Sequence, residues 1–86
     1  MNFLNYEVST GPNSTIEVAL SGNAANVLVM DEGNFQSFRS GGAHRYYGGY
    51  YTHSPIIIRV PSGQWHVVIH LGGGAGHVSA TVRVLG

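Results

Sequence analysis

Cysteine and lysine are both missing from this 86-residue chain. Without cysteine there is neither a disulfide framework nor a cysteine-based zinc site. Charge of either sign is scarce: 9% of residues are charged, and four arginines offset four acids to a net charge of zero. Such a balance makes no basic face for phosphates and no polybasic membrane contact, so neither nucleic acid nor membrane is expected as a partner. Near-zero net charge favours association, so a homo-oligomer is one expectation and a small uncharged monomer the other. Long apolar runs are also missing. No segment approaches the ~18 residues of a spanning helix, and Met1–Glu7 has neither the basic nor the apolar region of a leader. A cytoplasmic location is the default expectation. The length suits one domain, residues 1–86, which by size buries only roughly 60% of its unfolded surface. Tight β packing or self-association is expected to help so small a core.

What is present reads as strands. Thr15–Leu20 alternates, with Ile16, Val18 and Leu20 on one face, after a Gly11-Pro12-Asn13-Ser14 turn. Asn26–Met30 is apolar on both faces, the pattern of a central strand. Asp31–Arg39 is the one helical stretch, capped by Asp31, with Phe35 and Phe38 on one side. It is expected as a short helical turn lidding one end of the fold. Ile56, Ile58 and Val60 share a face, as do Trp65, Val67, Ile69 and Leu71, and Val78, Ala80, Val82 and Val84. Matching these faces through the Pro61–Gln64 loop pairs Val60 with Trp65, Ile58 with Val67 and Ile56 with Ile69, and sets Arg59 beside His66. A second hairpin through Gly72–Gly76 has two admissible registers, one with His70 opposite His77 and one with Ile69 opposite Ala80. Short strands with Gly/Pro punctuation and no βα alternation predict an all-β antiparallel domain. A β-sandwich or jelly roll is the first expectation, and a small closed β-barrel the second.

Met1-Asn2-Phe3-Leu4, Asp31–Arg39, Tyr46-Tyr47-Gly48-Gly49, Ser54-Pro55 and Val60–Trp65 occur in that order along the chain. Together they resemble a small all-β bacterial family catalogued as a domain of unknown function, found alone or beside TIR-type domains. The resemblance spans nearly the whole chain. It implies a bacterial origin, a β-sandwich and an accessory role in signalling or defence proteins, and it transfers no active-site residues.

The residues that could carry function cluster at Arg45–Pro55, which holds four of the five tyrosines around Gly48-Gly49. Arg45, Tyr46, Tyr47, Tyr50 and Tyr51 have the composition of an interface hot spot, and such rings also stack on sugars or bases. The competing reading packs alternate tyrosines into the core, with a bulge at the glycines. Period two sends Tyr46 and Tyr50 one way and Tyr47 and Tyr51 the other. Tyr46 and Tyr50 are the expected exposed pair if the strand breaks at Ser54-Pro55. Five histidines raise a metal hypothesis, but His66 and His70 lie about 13 Å apart along one strand. Only His70 with His77 could pair, so no metal or other cofactor is expected, and the histidines read as ordinary exposed polar residues. No Gly-x-Ser-x-Gly and no local triad spacing occurs. The Gly72–Gly76 run lacks the lysine and following helix of a phosphate loop, and reads as a flexible hairpin loop. A non-catalytic module binding a protein or small molecule is expected. A self-assembling structural domain is the alternative, with a small hydrolase or metal-binding protein further behind.

Overall fold

A computed structural model describes residues 2–72 and 76–86. Seven strands, β1 (Leu4–Thr10), β2 (Thr15–Gly22), β3 (Ala25–Met30), β4 (Tyr47–Tyr51), β5 (Ile56–Arg59), β6 (Gly63–His70) and β7 (Val78–Leu85), are joined by one helix, α1 (Glu32–Arg39), between β3 and β4. The strands form two antiparallel sheets, one in the order β1-β6-β3-β4 and one in the order β5-β2-β7. This is the all-β sandwich expected from the strand pattern. The edges β1 and β7 approach at one side, where the Tyr6 hydroxyl donates to the Ala80 carbonyl at 3.3 Å, but among the described residues the two sheets stay separate and no barrel closes.

The alternating faces explain the core. Ile16, Val18, Val27, Val29, Ile56, Ile58, Val67 and Ile69 meet between the sheets and are essentially free of solvent. Each such side chain contributes roughly 1.5–3 kcal/mol by leaving water. The two-sided pattern of β3 is also realised, because β3 sits between β6 and β4 and its outer residues Leu28 and Met30 are buried as well. What buries them is α1. Phe35, Phe38 and Phe3 pack with Leu28, Met30 and Val68 into a second apolar cluster on the outer face of the four-stranded sheet. The helix therefore forms a third layer over that sheet rather than a lid on one end, because its aromatic side has an apolar sheet face to cover.

Both expected hairpins are overturned. β5 and β6 lie in different sheets, with Ile58 opposite Ile16 and Val67 opposite Tyr6 and Val29. Arg59 accordingly stands opposite Thr15, while His66 lies between Glu7 and Met30. β6 and β7 do not pair either, since β7 runs along β2 with Val82 opposite Val18. Every strand-to-strand connection except β3–α1–β4 passes from one sheet to the other. The apolar faces that seemed to lie side by side instead face each other across the core. Residues 73–75 of the glycine run lie outside the described residues.

Candidate functional site

At the end of the four-stranded sheet, β3 hands over to α1 and the chain returns to begin β4. Asp31 caps the helix: its Oδ1 accepts the Asn34 backbone N–H at 2.8 Å and the Asn34 side-chain amide at 2.9 Å. Asn34 in turn accepts the Arg45 backbone N–H through Oδ1 at 2.7 Å, which ties the start of the tyrosine stretch to the start of the helix. Trp65 enters from β6. Its indole N–H donates to Thr10 Oγ1 at 3.1 Å and to the Pro61 carbonyl at 3.0 Å, and its ring meets Tyr47 edge to face with centroids 5.6 Å apart. These elements enclose a cleft of about 350 Å³ lined by Val29, Met30, Asp31, Asn34, Arg45, Tyr46, Tyr47 and Trp65.

The polar groups of the cleft are unevenly committed. Asn34 spends its amide on Asp31 and its carbonyl on Arg45. The Asp31 carboxyl is held below the usual carboxylate range, first by the Asn34 backbone N–H and then by its side chain, so it is ionised at neutral pH. Arg45 lines the same cleft, and among the described residues it forms no ion pair with Asp31 or any other acid. A carboxylate and a guanidinium thus share one concavity without neutralising each other directly. Around them stand aromatic rings that are both accessible and anchored: Tyr46 is 48% and Tyr47 44% exposed, while Trp65 is half-buried.

The tyrosine stretch is divided between three environments. Arg45, Tyr46 and Tyr47 line the cleft. Tyr50, at 63% exposure, stands on the outer face of β4 opposite Asn26, away from that lining. Tyr51 turns inward and packs against the main core. The chain leaves β4 after Tyr51 and resumes in the other sheet at Ile56, so the register of β5 places no constraint on the tyrosines. Gly48 serves packing. A Cβ there would run into the Val27 carbonyl oxygen, at a φ of +118°, so only glycine lets β4 lie this close to β3. By sequence Asp31 is a helix cap and Trp65 one position of an apolar strand face. Their approach to Arg45 spans 14 and 20 residues of chain, and no local spacing announces it.

The histidines are not the uniform exposed residues expected. His66, 7% exposed, approaches Glu32 Oε1 through Nε2 at 2.6 Å and Asn5 Oδ1 through Nδ1 at 3.1 Å, and stacks on Phe35 at 4.0 Å. It joins α1 to β1 and β6. Glu32 is correspondingly held below the usual carboxylate range, chiefly by the Gln36 side chain and next by His66. His70 and His77 are not cross-strand partners, because β6 pairs with β1 and β3 and β7 with β2. His70 Nδ1 accepts the Gly72 backbone N–H at 3.0 Å, which occupies a lone pair that a metal would need. Among the described residues no three histidine or acidic side chains converge as metal ligands. Ser54 is likewise committed, its Oγ accepting the Leu20 backbone N–H at 2.8 Å. Among the described residues no helix is long and apolar enough to cross a membrane.

The model of one protein family, described as "Domain of unknown function (DUF1883)", matches residues 1–86. No curated protein and no solved structure matches the chain.

Proposed function

The chain belongs to the DUF1883 family, and we propose that it is a non-catalytic binding module whose recognition site is the cleft walled by Arg45, Tyr46 and Tyr47. One observation carries this reading. Three residues of the tyrosine stretch meet Asp31, Asn34 and Trp65 around a single concavity. Pockets that orient a ligand combine apolar or aromatic walls with a few fixed polar groups, and this cleft has both. Its groups suit holding rather than transforming, because the described residues that line it include no serine, cysteine or histidine. An accessory place in bacterial signalling or defence proteins belongs to the same proposal, supported by the resemblance alone and testable by gene neighbourhoods and domain fusions.

The test uses amide and indole chemical shifts of the isotope-labelled full chain, titrated with a fragment panel of sugars, nucleosides, amino acids and short peptides. At least one class is expected to shift Asn34, Arg45–Tyr47 and the Trp65 indole while leaving Tyr50 in place. If every class leaves those resonances unmoved, or if the shifts gather around Tyr50, the cleft is not the recognition site.

A further inference from the structure

We infer that the cleft takes the ring of a neutral carbohydrate, a conclusion that rests on the binding reading above and names its ligand class. The inference follows from an account of which groups remain free. Asn34 is engaged by Asp31 and by the Arg45 backbone N–H, with one amide N–H to spare, and the Trp65 indole N–H is shared between Thr10 and Pro61. The charged groups left over are an acceptor, the second oxygen of the Asp31 carboxylate, and a planar fork of donors, the Arg45 guanidinium, with no ion pair to either among the described residues. The Tyr46 and Tyr47 hydroxyls, which form no hydrogen bonds with the described residues, complete the set.

Those two charges sum to zero, so the cleft has no net preference for an anion or a cation. They line the same concavity without an ion pair between them. A ligand that fits must donate to Asp31 and accept from Arg45, and must itself be neutral or balanced. Neighbouring hydroxyls on a sugar ring do both, each being a donor and an acceptor. Hydrogen bonds to ionised partners are about twice as strong as neutral ones, which suits a ligand with no charge of its own. The apolar C–H face of the ring finds Tyr47 and Trp65, held at right angles with centroids 5.6 Å apart, with Tyr46 on the same lining. At about 350 Å³ the cleft lies at the small end of ligand pockets, which run from roughly 300 to 1,000 Å³. That volume suits one or two rings, not a long chain enclosed on all sides.

Two variants isolate the polar bridge without disturbing the fold. Asp31→Asn keeps a good helix cap and removes the carboxylate. Arg45→Gln removes the guanidinium, while the backbone N–H that bonds Asn34 is untouched. The wild-type chain is titrated with methyl glycosides of glucose, galactose, mannose and N-acetylglucosamine, followed by the shifts of Tyr46, Tyr47 and the Trp65 indole. Trp65 is the sole tryptophan, so its fluorescence reads the same cleft independently. At least one glycoside is expected to bind there, and each variant is expected to weaken it about ten-fold or more. Binding that both variants leave unchanged overturns the inference. Shifts caused only by charged amino acids, peptides or nucleosides overturn it too, while the binding reading stands. A cleft that responds to no probe of either panel overturns both.

Discussion

His70 shows how a single residue's surroundings set a measurable property. Burial beside Phe38 lowers its pKa from the ordinary 6.5, and the neighbouring His44 adds a smaller push in the same direction. The unfolded chain therefore takes up this proton more readily than the folded one. The stability associated with neutral His70 is fully present above pH 6.5 and is lost as pH falls through the lower folded value. Thermal melts across about pH 5 to 8 should show stability declining on the acid side, with a shallower decline in His70→Asn. A variant whose slope matches that of the wild type would exclude His70 as a source of the decline. Gly48 makes a complementary point. In the sequence it reads as a bulge, and in the fold it makes room for the Val27 carbonyl within the sheet.

At the scale of elements, α1 depends on the surface it covers. Eight residues are too few for a stable isolated helix, so packing must hold it. Phe35 supplies that packing: it is buried among Leu28, Met30 and Val68, stacks on His66 and lies edge to face with Phe3 at 6.0 Å. Phe35→Ala should lower unfolding stability by about 3–5 kcal/mol in urea titration. A loss below about 1 kcal/mol would mean that the helix contributes little to the domain. The helix was legible from Asp31, Phe35 and Phe38, because a cap and a three-residue aromatic spacing are local signals. Its destination was not legible. The apolar outer face it covers is assembled from β3 and β6, and Val68 is distant from Phe35 in the chain.

For the whole molecule, the consequence of crossing connections is cooperativity. β2 gains its two neighbours from β5 and β7, and the four-stranded sheet joins β1 to β6 across more than half the chain. Removing residues 78–86 would strip β2 of one partner along its full length and open Ile16 and Val18 to water. That truncation should leave an unfolded chain with collapsed amide dispersion, not a folded β1–β6 remainder. A well-dispersed spectrum from the truncated protein would show that the smaller sheet folds without β7. The alternating residues of Thr15–Leu20, Ile56–Val60 and Trp65–Ile69 determined by themselves which side chains enter the core, and hence the sandwich class. Strand periodicity carries that information because each residue's face follows from its own parity along the chain. Parity does not say whether two matching faces lie side by side or opposite one another. Only the tertiary structure decided that β5 and β6 face across the core, and only the placing of β6 beside β3, with the hand-over from β3 to α1, brought Trp65 and Asp31 to Arg45. The tyrosine stretch carried part of the cleft in its composition, but the groups that complete it come from elsewhere in the chain, where only folding brings them within reach.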